Sequence, residues 1–318
     1  MPLTPESPLP ARLLAWASER FPPAQAPLLF IMYAVAVLYG RLLTSGGGAL
    51  RVGARDVVSF LAAYGFFLML RVFDEHKDYE LDCRNHPQRV LQSGLISLGH
   101  LKVLGAVAIA AQAGISLWRD GWVLGPITSA WLAVMAYALL MAKEFFIGVW
   151  LKDRLLLYAV THMMVMPLSL VWMALMGADG ARLPGSVALL ALLSFLSGFA
   201  FEIARKLKAP ADERPTVDSY TKVLGVVGAP AAIAGLLLAG VAVIAVLLHT
   251  VYGGAAPLLA YAAIGVATAG AMAALWSFSR EPSGRRAKTC EAMSGLAMLS
   301  ANVVLSAAIL LHRGVAWA

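Results

Sequence analysis

Residues 73–94 read FDEHKDYELDCRNHPQRVLQSG and carry five carboxylates and three Lys/Arg side chains directly behind a long apolar run. On a continued helix, at 100° per residue, Glu75, Asp78 and Asp82 fall within about 60° of one another, and Arg71 one turn earlier joins that face. Carboxylates at i, i+3 and i+7 repel one another, by on the order of several kcal/mol beside a low-dielectric wall, so such a face calls for a cation. Mg2+ suits hard oxygen ligands and completes its octahedron with water and phosphate oxygens. The expected chemistry is a divalent ion that joins carboxylates to a phosphorylated ligand. The bland alternative is a solvated juxtamembrane helix held by pairs such as Glu80 with Arg84 and Arg71 with Glu75.

A second cluster, FEIARKLKAPADERPTVDSYTKVLG over residues 201–225, holds Glu202, Asp212, Glu213 and Asp218 among Arg205, Lys206, Lys208 and Lys222. Between the two clusters, AKEFFIGVWLKDRLLLY places Lys152 and Arg154 just ahead of another apolar run. Arg and Lys both suit phosphate binding, the one as a bidentate fork and the other as a point charge. Their alternative role is to anchor loops against anionic lipid heads. Lys143 and Glu144 fit no motif, and an ion pair with a neighbour is their default. His162 and Asn302 lie inside apolar runs, where a polar side chain needs a partner, so interhelical hydrogen bonds are expected, with His162 also able to face a cavity. The turn HMMVMP and the aromatics Tyr64, Phe66, Phe67, Tyr158, Phe195 and Phe199 read mostly as packing, some of it lining any lipid tunnel.

The elements that must position these residues are membrane helices. A chain of 318 residues that is 60% hydrophobic and only 14% charged has no room for a soluble domain. Apolar runs of about 20 residues, the length that crosses a bilayer, recur over 27–43, 56–73, 99–118, 122–142, 155–176, 187–204, 226–249, 257–279 and 292–312. The expected architecture is an all-α integral membrane protein with nine transmembrane helices in a single bundle. Residues 1–26 form a separate interfacial segment, in which Leu13, Trp16, Ala17 and Phe21 share a helical face. The start of the chain has no basic stretch followed by a short apolar core and cleavage site, so no removable signal peptide is expected. Cys83 and Cys290 are too few and too far apart to suggest a disulfide or metal pair.

Nine crossings leave six of the 25 Lys and Arg residues (Arg41, Arg51, Arg55, Arg119, Arg182 and Arg313) on the side opposite both acidic clusters. The side richer in basic residues, which carries both clusters, is then cytoplasmic in an inner membrane. The net charge of +7 reads as topology and gives no reason to invoke nucleic acid.

The first stretch, continued through Arg89-Val-Leu-Gln-Ser-Gly94-Leu-Ile-Ser97, resembles the first signature of the UbiA-type prenyltransferase superfamily, N-D-x-x-D-x-x-x-D followed by R-P-L-x-S-G-x-I-S. Asp74 stands at the Asn position, Glu75 at the first Asp, and Asp78 and Asp82 at the next two; Arg89, Leu91, Ser93, Gly94, Ile96 and Ser97 match the tail. The departures are Asp for Asn, Glu for Asp, and Val90 for Pro. The resemblance implies a nine-helix bundle with a central lipid-accessible cavity and Mg2+ bound to an isoprenyl diphosphate at the cytoplasmic end of the second helix. It also implies a second D-x-x-x-D site, for which Glu202 and Asp212 are the available acids, with Lys206 or Lys208 at the other acidic position depending on register. Ser219-Tyr220 and Leu224-Gly225 resemble the tail of that second motif, and Lys152 with Arg154 a Lys-Arg pair that holds the diphosphate.

The resemblance therefore implies transfer of a prenyl group from an isoprenyl diphosphate to an acceptor. Asp74, Glu75, Asp78, Asp82, Glu202 and Asp212 are the expected metal ligands, and Arg71, Arg89, Lys152, Arg154, Lys206 and Lys222 the expected diphosphate contacts. Asp78, Asp82, Arg89 and Lys152 are closest to the chemistry. The acceptor, lipophilic or aromatic, stays open among quinone precursors, tetrapyrroles and glycerophosphate-type lipids. The altered second motif leaves room for a membrane terpene cyclase, in which the cation is captured within its own chain. A divalent cation permease is the reading from another class, disfavoured because its ionisable groups would belong near the midplane.

Overall fold

The computed structural model describes residues 3–214 and 219–317, so Asp218 of the second acidic cluster lies outside the described residues. The chain is a helical bundle. A short helix α1 (Leu9–Arg20) precedes α2 (Ala26–Thr44), a strand β1 (Leu50–Val52), α3 (Ala54–Lys77) and α4 (Tyr79–Asn85). Then come α5 (Leu98–Arg119), α6 (Pro126–Ala142), α7 (Gly148–Lys152), α8 (Leu155–Met163), α9 (Val165–Gly177), α10 (Val187–Arg205), α11 (Tyr220–Tyr252), α12 (Leu258–Arg280), α13 (Gly284–Arg313) and β2 (Val315–Trp317).

Every apolar run predicted to cross the membrane is helical. Among the described residues, eight segments are long and apolar enough to cross a bilayer; α6, with 17 residues, is shorter. At 1.5 Å per residue α6 is about 25 Å long. The fifth run is two helices: Pro167 has no N–H to give the carbonyl one turn back, and α8 gives way to α9 at Met164. The charged stretch GRRAKTCE, left outside the ninth span by its polarity, is the first two turns of α13.

Lipid replaces water as the outer solvent, so large apolar side chains stay on the surface: Val103, Val107, Val266 and Leu311 are all exposed. Inside, small residues let backbones approach. A Cβ at Gly40 would lie 2.0 Å from the Ala174 carbonyl oxygen, and one at Gly177 would lie 2.0 Å from that of Val37. Glycine at both positions is what brings α2 and α9 together.

The bundle has two charged ends. At one, Arg41 grips Asp56 through two hydrogen bonds of 2.8 and 2.9 Å. Arg119 reaches Ser59 at 2.8 Å and Asp179 at 2.5 Å, and Asp120 receives the Thr128 N–H and hydroxyl at the start of α6. Here β1 and β2 pair in parallel, with Leu50 opposite Val315, a small sheet that helix-length apolar runs do not announce. The other end carries both acidic clusters.

Candidate active site at the acidic end

The two acidic helices are positioned by a loop that the first motif encodes. α3 ends where Asp78 leaves helical geometry, at φ −99° and ψ 6°, and α4 starts at once, its first bond running from the Asp82 N–H to the Asp78 carbonyl. In the RVLQSGLIS segment, Leu91 and Ile96 are buried together with Trp16, Val72 and Leu101. Gly94 takes a φ of +83° that other residues rarely adopt, and the Ser97 hydroxyl caps α5 by accepting the His100 N–H. These motif residues therefore build the platform beside the acids. Helix α1 docks on the same platform through Trp16, with Leu13 and Ala17 against it, so its apolar face is covered by the protein itself.

The four acids of the first motif do not share one environment, and the expected ladder is corrected accordingly. Glu75 is buried and its Oε1 accepts from Arg20 at 2.5 Å and from Arg71 at 2.8 Å. Asp82 accepts from Arg89 at 2.8 Å and from Arg20 at 3.3 Å, and Arg89 also lies 3.7 Å from Glu19. Arg71 and Arg89 are thus bound to protein carboxylates. Asp74 is different: its side chain is 46% exposed and its nearest cations, Arg71 and Lys77, stand at 3.9 and 4.0 Å. Asp78 has no ion pair within 4.0 Å among the described residues. Partial burial, assisted by Asp82 and Glu144 against the pull of Lys77 and Lys152, holds the Asp78 carboxyl above its ordinary range. Arg20 is the reverse case; burial works against its charge, yet Glu75 and Asp82 outweigh that and hold it above its ordinary value.

The second cluster is closed on itself. Glu202 is buried and accepts from Arg205 at 2.6 Å and Lys206 at 2.7 Å, so a lysine of the same motif neutralises the acid that was to share a metal with it. Asp212 is exposed and sits against Gly284 at the start of α13. Lys222 is held at the loop by the Arg214 carbonyl and lies 4.0 Å from Glu213. Lys152 pairs with Glu144 at 3.0 Å. Arg154 does not join it: its guanidinium lies 4.2 Å over the Trp150 ring and bonds the Trp150 carbonyl. Among the described residues no three Asp, Glu, His or Cys side chains gather as a metal-binding group, because Glu75, Asp82 and Glu202 are each turned toward cations of the chain.

Two openings adjoin these charges. A cavity of about 1270 Å3 lies between the end of α10 and the start of α13, with Arg205, Lys208, Arg285, Lys288, Asp212 and Glu291 on its walls. A groove of about 640 Å3 runs between α3 and α6, apolar along Phe73, Leu139, Leu140 and Phe146 and basic at His76, Lys77 and Lys143. Lys77 connects groove to acids, since its ammonium donates to the Tyr158 hydroxyl at 3.1 Å and lies 4.0 Å from Asp74.

Several residues of this site were not singled out by sequence. Arg20 lies 55 positions from the acid it holds, and Lys77 lies 81 positions from Tyr158; charge at the helix end was the only available signal. Among the described residues the interhelical bonds expected of His162 and Asn302 are not formed: both bond carbonyls one turn back on their own helices, at Tyr158 (2.8 Å) and Met298 (3.2 Å). An i−4 carbonyl is always within reach on a helix, so it satisfies a buried donor without a partner helix.

The comparisons with known proteins agree with one another. No curated protein sequence matches significantly. A solved structure described as digeranylgeranylglyceryl phosphate synthase superposes with a TM-score of 0.63 at 17% identity, covering 95% of this chain and 99% of that one. The apo structure of a UbiA homologue from Aeropyrum pernix K1 gives 0.60 at 20% identity, covering 89% of this chain and 97% of that one. At such identities the likeness speaks to the fold, and family rests on the sequence match: the UbiA prenyltransferase family model aligns with residues 29–302. The chain therefore belongs to the UbiA prenyltransferase family.

Proposed function

We propose that the chain is a magnesium-dependent intramembrane prenyltransferase that crosses the inner membrane nine times, α6 included, with its acidic end in the cytoplasm. It transfers the prenyl group of an isoprenyl diphosphate to an acceptor and releases pyrophosphate. The observation that carries this reading is the division among the acids: Glu75 and Asp82 are tied to arginines, whereas Asp74 and Asp78 keep oxygens with no tight partner. The orientation follows from the Lys/Arg asymmetry of the loops.

The residues present fit Mg2+. It is commonly held by one or two carboxylates with substrate phosphates filling its shell, and Asp74 and Asp78 supply such a pair, beside a Glu75 Oε2 that is buried without a hydrogen-bond partner. Bound there, Mg2+ would supply Lewis-acid charge to the diphosphate oxygens. The chain's own cations act with it. Lys152, Arg205 and Lys206 stand around the same end, each paired with a single carboxylate that it can release to a more highly charged phosphate. Arg20, Arg71 and Arg89 keep the acids in place, and Arg154 and Lys222 belong to the flanking loops. The groove between α3 and α6, within the roughly 300–1,000 Å3 usual for ligand pockets, would take the apolar tail and keep water from an allylic cation.

The acceptor stays unidentified; the glyceryl phosphate in the name of the first neighbour keeps a hydroxylated lipid among the choices. A second reading, a terpene cyclase on the same scaffold, is favoured by the Glu202–Lys206 pair, which leaves the second acidic motif with an internal counter-ion. The charges lie at the ends of the bundle, which supports neither channel nor permease. The test is incubation of the purified chain in detergent with labelled C10 to C20 allylic diphosphates, with and without Mg2+ and a lipid extract. Labelled adducts formed only with the extract support transfer, a cyclic hydrocarbon formed without it supports cyclisation, and full turnover in both Asp74→Ala and Asp78→Ala would defeat the site assignment.

A further inference from the structure

The turn that leaves α6 is left-handed. Glu144, Phe145 and Phe146 have φ angles of +49°, +54° and +60°, a conformation that L-residues adopt at a cost and that persists only where the surroundings impose it. Its effect is to set the Phe145 ring edge-on to Tyr137, at 5.5 Å, and to His162, at 6.1 Å. On the other side, His162 is stacked on Tyr158 at 3.9 Å with 14° between the ring planes. The imidazole is held between aromatic rings.

That confinement also fixes its tautomer. His162 Nδ1 lies 2.8 Å from the Tyr158 carbonyl; a carbonyl only accepts, so Nδ1 carries the hydrogen and the lone pair is on Nε2. The Thr161 hydroxyl, 3.4 Å from Nδ1, already donates to the carbonyls of Leu157 and Tyr158. Nε2 is buried and has no hydrogen-bond partner among the described residues. An unpaired buried acceptor is destabilising, so the Nε2 lone pair is open to a hydrogen-bonding ligand. The ring is also wired to the acids: Tyr158 receives Lys77 at 3.1 Å, and Lys77 lies 4.0 Å from Asp74.

We propose that His162 Nε2 is the proton acceptor of the transfer, taking the proton of a hydroxyl acceptor as its oxygen attacks the prenyl carbon. This rests on the prenyltransferase reading. The allylic C–O bond breaks with its electron pair on pyrophosphate, and the acceptor oxygen supplies the pair for the new C–O bond. The O–H electrons stay on that oxygen, and the proton passes to Nε2. The charges that act on the resulting imidazolium are Lys77 of α3, Glu144 of the left-handed turn and Lys206 at the end of α10; Glu144, paired with Lys152 at 3.0 Å until Lys152 turns to phosphate, is the one acid among them. The acceptor class that follows is an alcohol or phenol.

Two measurements test this on the full chain in detergent. In the 15N spectrum of histidine-labelled protein, the signal missing from His162→Gln should show the Nδ1–H tautomer; an Nε2–H tautomer overturns the proposal whatever the activity. With geranylgeranyl diphosphate and a lipid extract as the source of hydroxyl acceptors, His162→Gln should lower transfer by about 100-fold or more, while binding of non-hydrolysable geranylgeranyl thiodiphosphate stays within about twofold. Transfer at the wild-type rate overturns the role of His162 alone. Absence of thiodiphosphate binding to the wild-type chain overturns the prenyltransferase reading and this role with it. Should His162→Gln misfold, His162→Asn serves both measurements.

Discussion

At the end of the bundle where α2, α3, α5 and α9 meet, the Arg119 side chain is 1% exposed and Arg41 grips Asp56 with a two-pronged contact. At the acidic end the Asp74 side chain is 46% exposed, its nearest cations stand at 3.9 and 4.0 Å, and the Lys152 side chain is 62% exposed. Both networks mix Arg or Lys with Asp or Glu, and α3 contributes to each. The first spends its donors on carboxylates and on backbone carbonyls such as those of Arg51 and Gly177, an arrangement in which removal of one partner strands a buried charge. The second leaves Asp74 and Asp78 only loosely matched, as a site must if a charged ligand is to enter and leave. Tight pairing at Arg41 and Arg119 marks the end that holds the fold, and the loosely matched Asp74 and Asp78 mark the proposed site.

Substitutions at the two ends should separate them. The largest effect expected is at Asp78→Ala, which should lower turnover by at least about 1000-fold with an unchanged melting temperature in detergent; an equally large loss of melting temperature would place Asp78 in the structural class. Next, Arg119→Ala should cost about 3 to 5 kcal/mol of stability while molecules that remain folded keep their turnover, read as activity per folded protein by size-exclusion recovery. Lys152→Ala should raise the KM for the diphosphate by about tenfold, one point-charge contact to phosphate, and leave the melting temperature alone. Smallest is Arg154→Ala, whose guanidinium rests on Trp150 and is expected to change KM by less than about twofold. An Arg154 effect equal to that of Lys152 would restore the pair implied by sequence.

The helices were legible because membrane spans advertise themselves: the runs predicted over 56–73 and 187–204 lie within α3 and α10. The first motif was legible as well, since its acids recur at helical spacing and its tail carries the Gly94 turn and the Ser97 cap. What the pattern hid was the allocation of charge. Spacing placed Glu75, Asp78 and Asp82 on one face, and nothing in it told that Arg20, from a different helix, would claim two of them. The left-handed turn at Glu144, Phe145 and Phe146 contains no glycine to announce it, and the β1–β2 pair joins three-residue strands from opposite ends of the chain. Contacts between distant segments decide all three, and local sequence carries no record of them.

On the proposed reading Asp74 and Asp78 hold a metal-bridged diphosphate. Isothermal titration of geranylgeranyl thiodiphosphate into the purified chain tests it most directly. Saturable binding that requires Mg2+, disappears in the Asp74→Ala/Asp78→Ala double variant and survives in Arg154→Ala is the predicted result. Binding indifferent to both magnesium and the double substitution would contradict it.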